Sequence, residues 1–238
     1  HFCEKARWAL DYKQIAYEPI AILPGFHLRT VRKVAPKSSV PVLLSKDTVV
    51  QGAGEIIDFL DQTCAERMLT PQDTEQRRAC EDLERSMDNR LGVNLRRILY
   101  DCLLEHPRFI QACFTHTMPK SKQILLRMYY PLLRQRIRAV YVISDAAVAR
   151  SRQEFERALS ELASRFEHRE FLIGEQFSRA DLSIAAMLSL LVMPKEHPFP
   201  WGAIPDERSQ LFVDQYRDHA VSHWVCEIYR NYRIAKPA

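Results

Sequence analysis

Between Ser39 and Leu60 the hydrophobic spacing changes from that of strands to that of a helix. Val40-Pro41-Val42-Leu43-Leu44 is an apolar run of strand length, polar Ser45-Lys46-Asp47 interrupts it, and Thr48-Val49-Val50 resumes it, which predicts a hairpin. Ile56, Ile57, Phe59 and Leu60 then fall on one face of a helix that opens at the small residues Gly52, Ala53 and Gly54. Upstream, Cys3, Ala6 and Leu10 recur at helical spacing, with Glu4, Lys5, Arg7, Asp11 and Lys13 on the other side, and predict a helix over Phe2 to Gln14. Tyr17, Ile20 and Ile22 mark a strand over Ala16 to Ile22, bent or at an edge because of Pro19. Leu23-Pro24-Gly25 reads as a turn, and Phe26 to Val34 as a short basic helix or loop.

From Asp61 to Asp73 the periodicity is lost and the composition turns polar, as in a linker. Beyond it the patterns are helical. Ala79, Leu83, Met87, Leu91, Leu95, Ile98, Cys102 and Leu103 hold one face of a long helix over Thr74 to Glu105, with a bend near Gly92. Pro107 breaks it, and Arg108 to Thr117 and Lys122 to Tyr141 follow, the second interrupted at Pro131. Ser144 caps a helix that runs to Glu167. Ser178 and Asp181 form a capping box, flanked by Phe177 and Leu182 as a hydrophobic staple. The helix they open, Leu182 to Met193, is apolar all round and so belongs inside a bundle. A proline-rich loop, Pro194 to Pro205, precedes a last helix of about Arg208 to Tyr232.

The hairpin and its helix carry the first chemical signal. Pro41 sits at the mouth of the first strand, and an X-Pro bond is the peptide bond that turns cis at modest cost. A cis Val40-Pro41 bond leaves the Val40 backbone turned outward, where an extended peptide can pair with it as an added strand; a trans bond makes Pro41 only a strand starter. The helix N-terminus at Gly52 to Gly54 offers unpaired N–H groups to a carboxylate. A backbone edge beside an anion site points to a small peptide with a free carboxylate.

The run VPVLL followed by VVQGAGEIIDFLD, with FCEKARWALDYK before it and FLIGEQFSRADLSIAAML far downstream, resembles the glutathione S-transferase family over essentially the whole chain. The resemblance implies a thioredoxin-like α/β N-terminal domain over residues 1–64, a linker over 65–73 and an all-α helical domain over 74–238. It implies that Val40 and Pro41 take the cysteinyl part of glutathione and that Gly52 and Ala53 lie against its γ-glutamyl end. His27 or Lys37 would meet its glycyl carboxylate. In the family an acid or amide followed by serine stands where this chain has Gly52 and Ala53, and each hydrogen bond lost to a charged ligand group weakens binding by about 1.5–3 kcal/mol. Glu55, one turn further, either takes over the ammonium contact or is pointed at solvent by the helical spacing.

An opening strand and turn precede the position of His1 in the family, and the usual activating residue stands just ahead of the His1-Phe2-Cys3 triplet. Cys3, in the first turn of a helix whose dipole favours a thiolate, is the catalytic candidate inside the sequence, although it matches the second cysteine of a C-x-x-C pair and not the first. The helix around Asn94, Arg97 and Tyr100 corresponds to a wall of the pocket for the second substrate. The implied activity is transfer of glutathione, as co-substrate, to a small hydrophobic electrophile by a homodimer. A non-catalytic binding protein on the same scaffold and a thiol-disulfide oxidoreductase using Cys3 are the alternatives.

Composition narrows the partners. With 238 residues, 47% hydrophobic and 27% charged, the chain has room for two modest domains. The formal charge is +4, and basic residues are mostly interspersed with acids, which argues against nucleic acid. Arg127, Arg134, Arg136 and Arg138 are the exception; they make a solvated face or meet an acidic substrate or subunit. The six cysteines are dispersed, without the spacing of a metal site, and fit reduced thiols in the cytoplasm. The apolar stretch Leu182 to Met193 is too short to span a bilayer and no signal peptide is visible, so no membrane partner is expected. Nucleotide and hydrolase chemistry are disfavoured by the lack of a phosphate-binding glycine loop or a Ser/His/Asp arrangement.

Overall fold

The computed structural model describes residues 1–165 and 169–233. Helix α1 (Phe2–Tyr12) stops short of Gln14 because Gln14 turns left-handed, at φ 56°. The strand expected over Ala16 to Ile22 does not form. That segment finds no ladder partner among the described residues, Pro19 lacks an N–H, and Ile20 is left 73% exposed. A short helix α2 (His27–Arg32) follows.

Strands β1 (Val42–Ser45) and β2 (Thr48–Gln51) pair antiparallel, with Val42 opposite Gln51 and Ser45 opposite Thr48. The two-residue turn between them places Lys46 at φ 43°, the left-handed geometry that tight hairpins require. Helix α3 (Ala53–Thr63) starts at once and buries Ala53, Ile56, Ile57 and Leu60.

The long helix after the linker is three segments: α4 (Thr74–Met87), a π-helical stretch over Asp88–Val93, and α5 (Asn94–Leu103). The bend expected near Gly92 is this widened turn. It brings the backbone against the central helix, where a Cβ at Gly92 would stand 2.5 Å from the Met187 sulfur. Pro107, which stops the preceding helix, is the first residue of α6 (Pro107–Thr115), a position that does not need its N–H. Helix α7 (Lys120–Val140) runs through Pro131 without a break. Pro131 is on the exposed face, where water can satisfy the carbonyl freed by its missing N–H.

Helix α8 (Asp145–Arg165) begins as expected, and its predicted end at Glu167 lies outside the described residues. The central helix α9 (Arg179–Val192) is buried along nearly its whole length. Its capping box forms: the Ser178 N–H and hydroxyl donate to the Asp181 carboxylate at 2.9 and 2.7 Å, and the Leu172 N–H donates to the other carboxylate oxygen at 2.8 Å. The single last helix predicted over Arg208 to Tyr232 is divided into α10 (Glu207–Asp214) and α11 (Ala220–Tyr232). His219 starts the second of these by accepting the Val221 N–H at 3.2 Å.

The architecture is a thioredoxin-like α/β unit joined to an all-helical unit. One buried cluster spans both, taking Trp8 and Leu10 from α1, Ile56 and Ile57 from α3, Leu83 from α4, Leu182 to Leu188 from α9 and Val225 and Tyr229 from α11. Charged side chains cross the same boundary. The Arg179 guanidinium binds Glu84 and Asp58 and donates to Thr70, and Glu84 also pairs with Lys5, which reaches Asp88 at 2.7 Å. Lys13 pairs with Asp61 at 2.8 Å, and the Asp61 carboxylate accepts the Leu69 and Thr70 N–H groups. A second apolar cluster joins Leu23 to Leu126, Leu133 and Ile137 of α7, and the Tyr129 hydroxyl donates to the Pro24 carbonyl at 2.8 Å.

Candidate functional site

The Val40-Pro41 bond is cis, and Val40 is 44% exposed. The Pro41 carbonyl accepts the Gly52 N–H at 3.1 Å, which sets the start of α3 beside Val40. The N–H and carbonyl of Val40 take part in no backbone or side-chain hydrogen bond within the described residues. A pairing edge is therefore open next to a helix N-terminus.

That helix start is built on glycine. Gly52 is the N-cap residue at φ 115°, a geometry that L side chains rarely adopt, and no side chain hydrogen-bonds the cap. Glu55 folds back over it, so that a Cβ on residue 52 would meet the Glu55 carboxylate. A carboxylate from one turn further along thus lies over the Gly52 cap. Ala53 is buried and presents only its backbone to the site.

Gln51 was not among the residues expected at the site, yet it holds the loop that leads into Val40. Its carboxamide oxygen accepts the Lys37 N–H at 3.0 Å, and its nitrogen donates to the Lys37 and Ser39 carbonyls, each at 2.8 Å. The visible signal was an amide at the end of a strand, immediately before a Gly-x-Gly helix start. Val40, Pro41, Gly52, Ala53 and the Lys37 backbone are brought together by these contacts. The Lys37 residue itself is exposed.

His27 makes no hydrogen bond to this group among the described residues. Its Nδ1 accepts the Gly25 N–H at 3.0 Å within its own turn, and burial lowers its pKa, so the ring is neutral with Nε2 left as its donor. Cys3 is a free, half-buried thiol in the first turn of α1.

On the helical side, the residue facing α1 is Arg96 and not its neighbour Arg97. Arg97 is spent on structure: it donates to the Tyr141 carbonyl at 2.8 Å and to the Ser151 hydroxyl at 2.6 Å. Asn94 donates back to the Arg90 carbonyl at 2.9 Å. Arg96 lies 4.5 Å over the Tyr141 ring and 5.8 Å over the Phe2 ring, with its Nε buried and without a hydrogen-bond partner among the described residues. The Tyr100 ring packs 5.1 Å from Tyr141, and burial pushes its hydroxyl well above the usual range, so it stays a neutral donor.

The proline-rich loop packs on itself and against its neighbours, with the His197 ring 6.0 Å from that of Tyr229 and the Phe199 ring 4.7 Å from that of His116. Trp201 Nε1 donates to the Pro194 carbonyl at 3.1 Å, and His197 Nδ1 accepts the Phe199 N–H at 3.0 Å. Burial, the largest cause, lowers the His197 pKa to about 3, which keeps the ring neutral.

Comparison with known proteins gives one consistent result. Residues 1–68 match the family described as glutathione S-transferase, N-terminal domain, and residues 145–211 match glutathione S-transferase, C-terminal domain. No curated protein sequence matches the chain. Among solved structures, the beta-etherase LigF from Sphingobium sp. strain SYK-6 superposes with a TM-score of 0.67 at 16% identity, covering 97% of this chain and 91% of that one. A glutathione S-transferase of Ceriporiopsis subvermispora, in complex with glutathione, gives 0.64 at 14% identity over 98% of this chain and 91% of that one. The theta class enzyme of Xanthomonas axonopodis pv. citri, with glutathione bound, gives 0.58 at 14%, covering 99% and 93%. At these identities the likeness concerns the fold.

Proposed function

The chain belongs to the glutathione S-transferase family, and on that premise we propose that it binds glutathione along Val40 and transfers it to a small hydrophobic electrophile. The observation that carries this reading is the open Val40 backbone beside the N-terminus of α3. A tripeptide's cysteinyl amide and carbonyl can pair there as an added strand would. Its γ-glutamyl carboxylate then faces the free N–H groups of the first turn, and its ammonium faces Glu55. The glycyl carboxylate has Lys37 and the Nε2 donor of His27 as candidates. Structures of relatives crystallised with glutathione support the same choice of ligand.

Chemistry would take place between the two units, which we read as a glutathione-binding domain over residues 1–64, a linker over 65–73 and a helical domain over 74–238. The enzyme's task is to hold the glutathione sulfur as a thiolate, since the free thiol is mostly protonated at neutral pH. The dipole of α1 and the Arg96 cation both favour negative charge near the start of that helix. The six free cysteines suit a reducing cytoplasm. Exposed Leu44 and Val49 on the hairpin offer apolar surface for a homodimer.

Calorimetric titration of the protein with glutathione, followed by a conjugation assay with an aryl halide, tests the proposal. Saturable binding with turnover is the expected result. Binding without turnover would identify a non-catalytic binding protein on the same scaffold. Reductase activity that disappears in Cys3→Ser would identify the oxidoreductase instead, and absence of glutathione binding would end the transferase reading.

A further inference from the structure

Helix α7 carries six basic residues and no acidic one. It buries Leu126, Tyr130, Leu133 and Ile137 against the protein. On the opposite face, one turn apart, Ile124, Met128 and Leu132 project outward, 60%, 75% and 68% exposed, with Pro131 also exposed beside them. At about 100° per residue, Lys120 and Arg127 flank this stripe on one side and Arg136 on the other. Arg134 and Arg138 are engaged by Glu105, whereas Lys120, Lys122, Arg127 and Arg136 are exposed and form no ion pair among the described residues. Apolar side chains are thus held in water along a convex ridge with free cations on both sides.

We propose that α7 docks the protein onto an anionic phospholipid surface. The helix lies flat, with Ile124, Met128 and Leu132 at the boundary between headgroups and acyl chains and Lys120, Arg127 and Arg136 on the lipid phosphates. Its 21 residues span about 31 Å, long enough to rest along the surface. Charge decides against a second copy of the same helix, because pairing α7 with α7 would set cations against cations. Shape decides against a polypeptide partner: a convex ridge of flexible apolar side chains needs a groove in a protein, while a bilayer yields to it. Membrane partners were not expected from the sequence because no stretch spans a bilayer. No helix of the described residues is long and apolar enough to cross one, but lying on a surface requires only this face.

Sedimentation of the full chain with phosphatidylcholine vesicles, with and without about one third phosphatidylglycerol, tests the proposal at low and high salt. Binding is expected on the anionic vesicles alone and should weaken as salt rises. The combined variant Ile124→Gln, Met128→Gln, Leu132→Gln should lower partitioning by about tenfold or more, as should Lys120→Gln, Arg127→Gln, Arg136→Gln. Both alter exposed positions, and unchanged circular dichroism and melting verify the fold. The proposal is overturned if the wild type stays in the supernatant with anionic vesicles. It fails equally if only the charge variant loses binding, which would mark an ionic face suited to an acidic polypeptide. A dimer that becomes monomeric in the apolar variant, read by light scattering, would make the stripe a self-association face and also sink it.

Discussion

The Glu55 carboxylate occupies the space above Gly52: a Cβ on residue 52 would collide with Glu55 Oε2. Glycine at 52 and glutamate at 55 therefore belong together, one making room for the other. Removing the carboxylate in Glu55→Ala should weaken glutathione binding by about 1.5–3 kcal/mol, roughly ten- to a hundredfold in Kd. Because Glu55 is exposed, its loss should move folding stability by no more than about 0.5 kcal/mol. Gly52→Ala should lower both stability and affinity, since it strains φ and displaces Glu55. Calorimetry and denaturant titration on the two variants separate these effects.

Gln51 joins the end of β2 to the Lys37–Ser39 loop by four hydrogen bonds, the longest of them to the Ser39 hydroxyl at 3.5 Å. Gln51→Ala should release that loop and cost the Val40 edge its fixed position. The expected signature is faster amide exchange at Ser38 to Val40 together with a glutathione Kd raised about five- to thirtyfold, against about 1–2 kcal/mol of stability. An unchanged Kd would show that the loop needs no clamp.

Glu84 lies between Lys5 and Arg179, and its side chain is only 5% exposed. Glu84→Ala leaves two buried cations short of a partner and should destabilise the fold by about 3–5 kcal/mol. Asp58, on the rim of the same network, is 49% exposed, and Asp58→Asn should cost about 1 kcal/mol or less. Urea unfolding of both variants measures the contrast.

Asp181 gives the fold a pH dependence. Burial, the largest cause, raises its pKa from 3.8 to about 6 against the hydrogen bonds from Leu172 and Ser178. A folded-state value above the unfolded one means that the group's contribution is full below pH 3.8 and is lost as pH rises through 6. Between about pH 8 and pH 5 the wild type should gain about 1–2 kcal/mol more than Asp181→Asn, measured by denaturant unfolding at each pH. Equal pH slopes would contradict the assignment.

Most of the helical framework could be read from local signals. The Ser178–Asp181 box, the period of α4 and α5 and the change of period after Val50 each state their structure within a few residues. What escaped was set by distant partners. The Ala16 to Ile22 segment has strand-like residues but no ladder to join, and Pro131 is tolerated in α7 only because its turn faces water. Of the site, Val40 and Gly52 were legible from the proline and glycines around them. Gln51 was not, because its role depends on a loop a dozen positions away, and Arg96 was missed for its neighbour because one residue along a helix rotates a side chain by about 100°.

The apolar interior shared by α1, α3, α4 and α9 bears on how the molecule would behave once nicked. A protease that cut at the exposed Ala65–Glu66 stretch, ahead of the buried Leu69 and Thr70, would sever the covalent connection and leave the contacts between the two parts in place. Arg179 of the distal fragment would still grip Asp58 of the proximal one, and Lys5 would still be bound to Glu84 and Asp88. The two fragments should therefore elute as a single species from a sizing column and come apart only in denaturant.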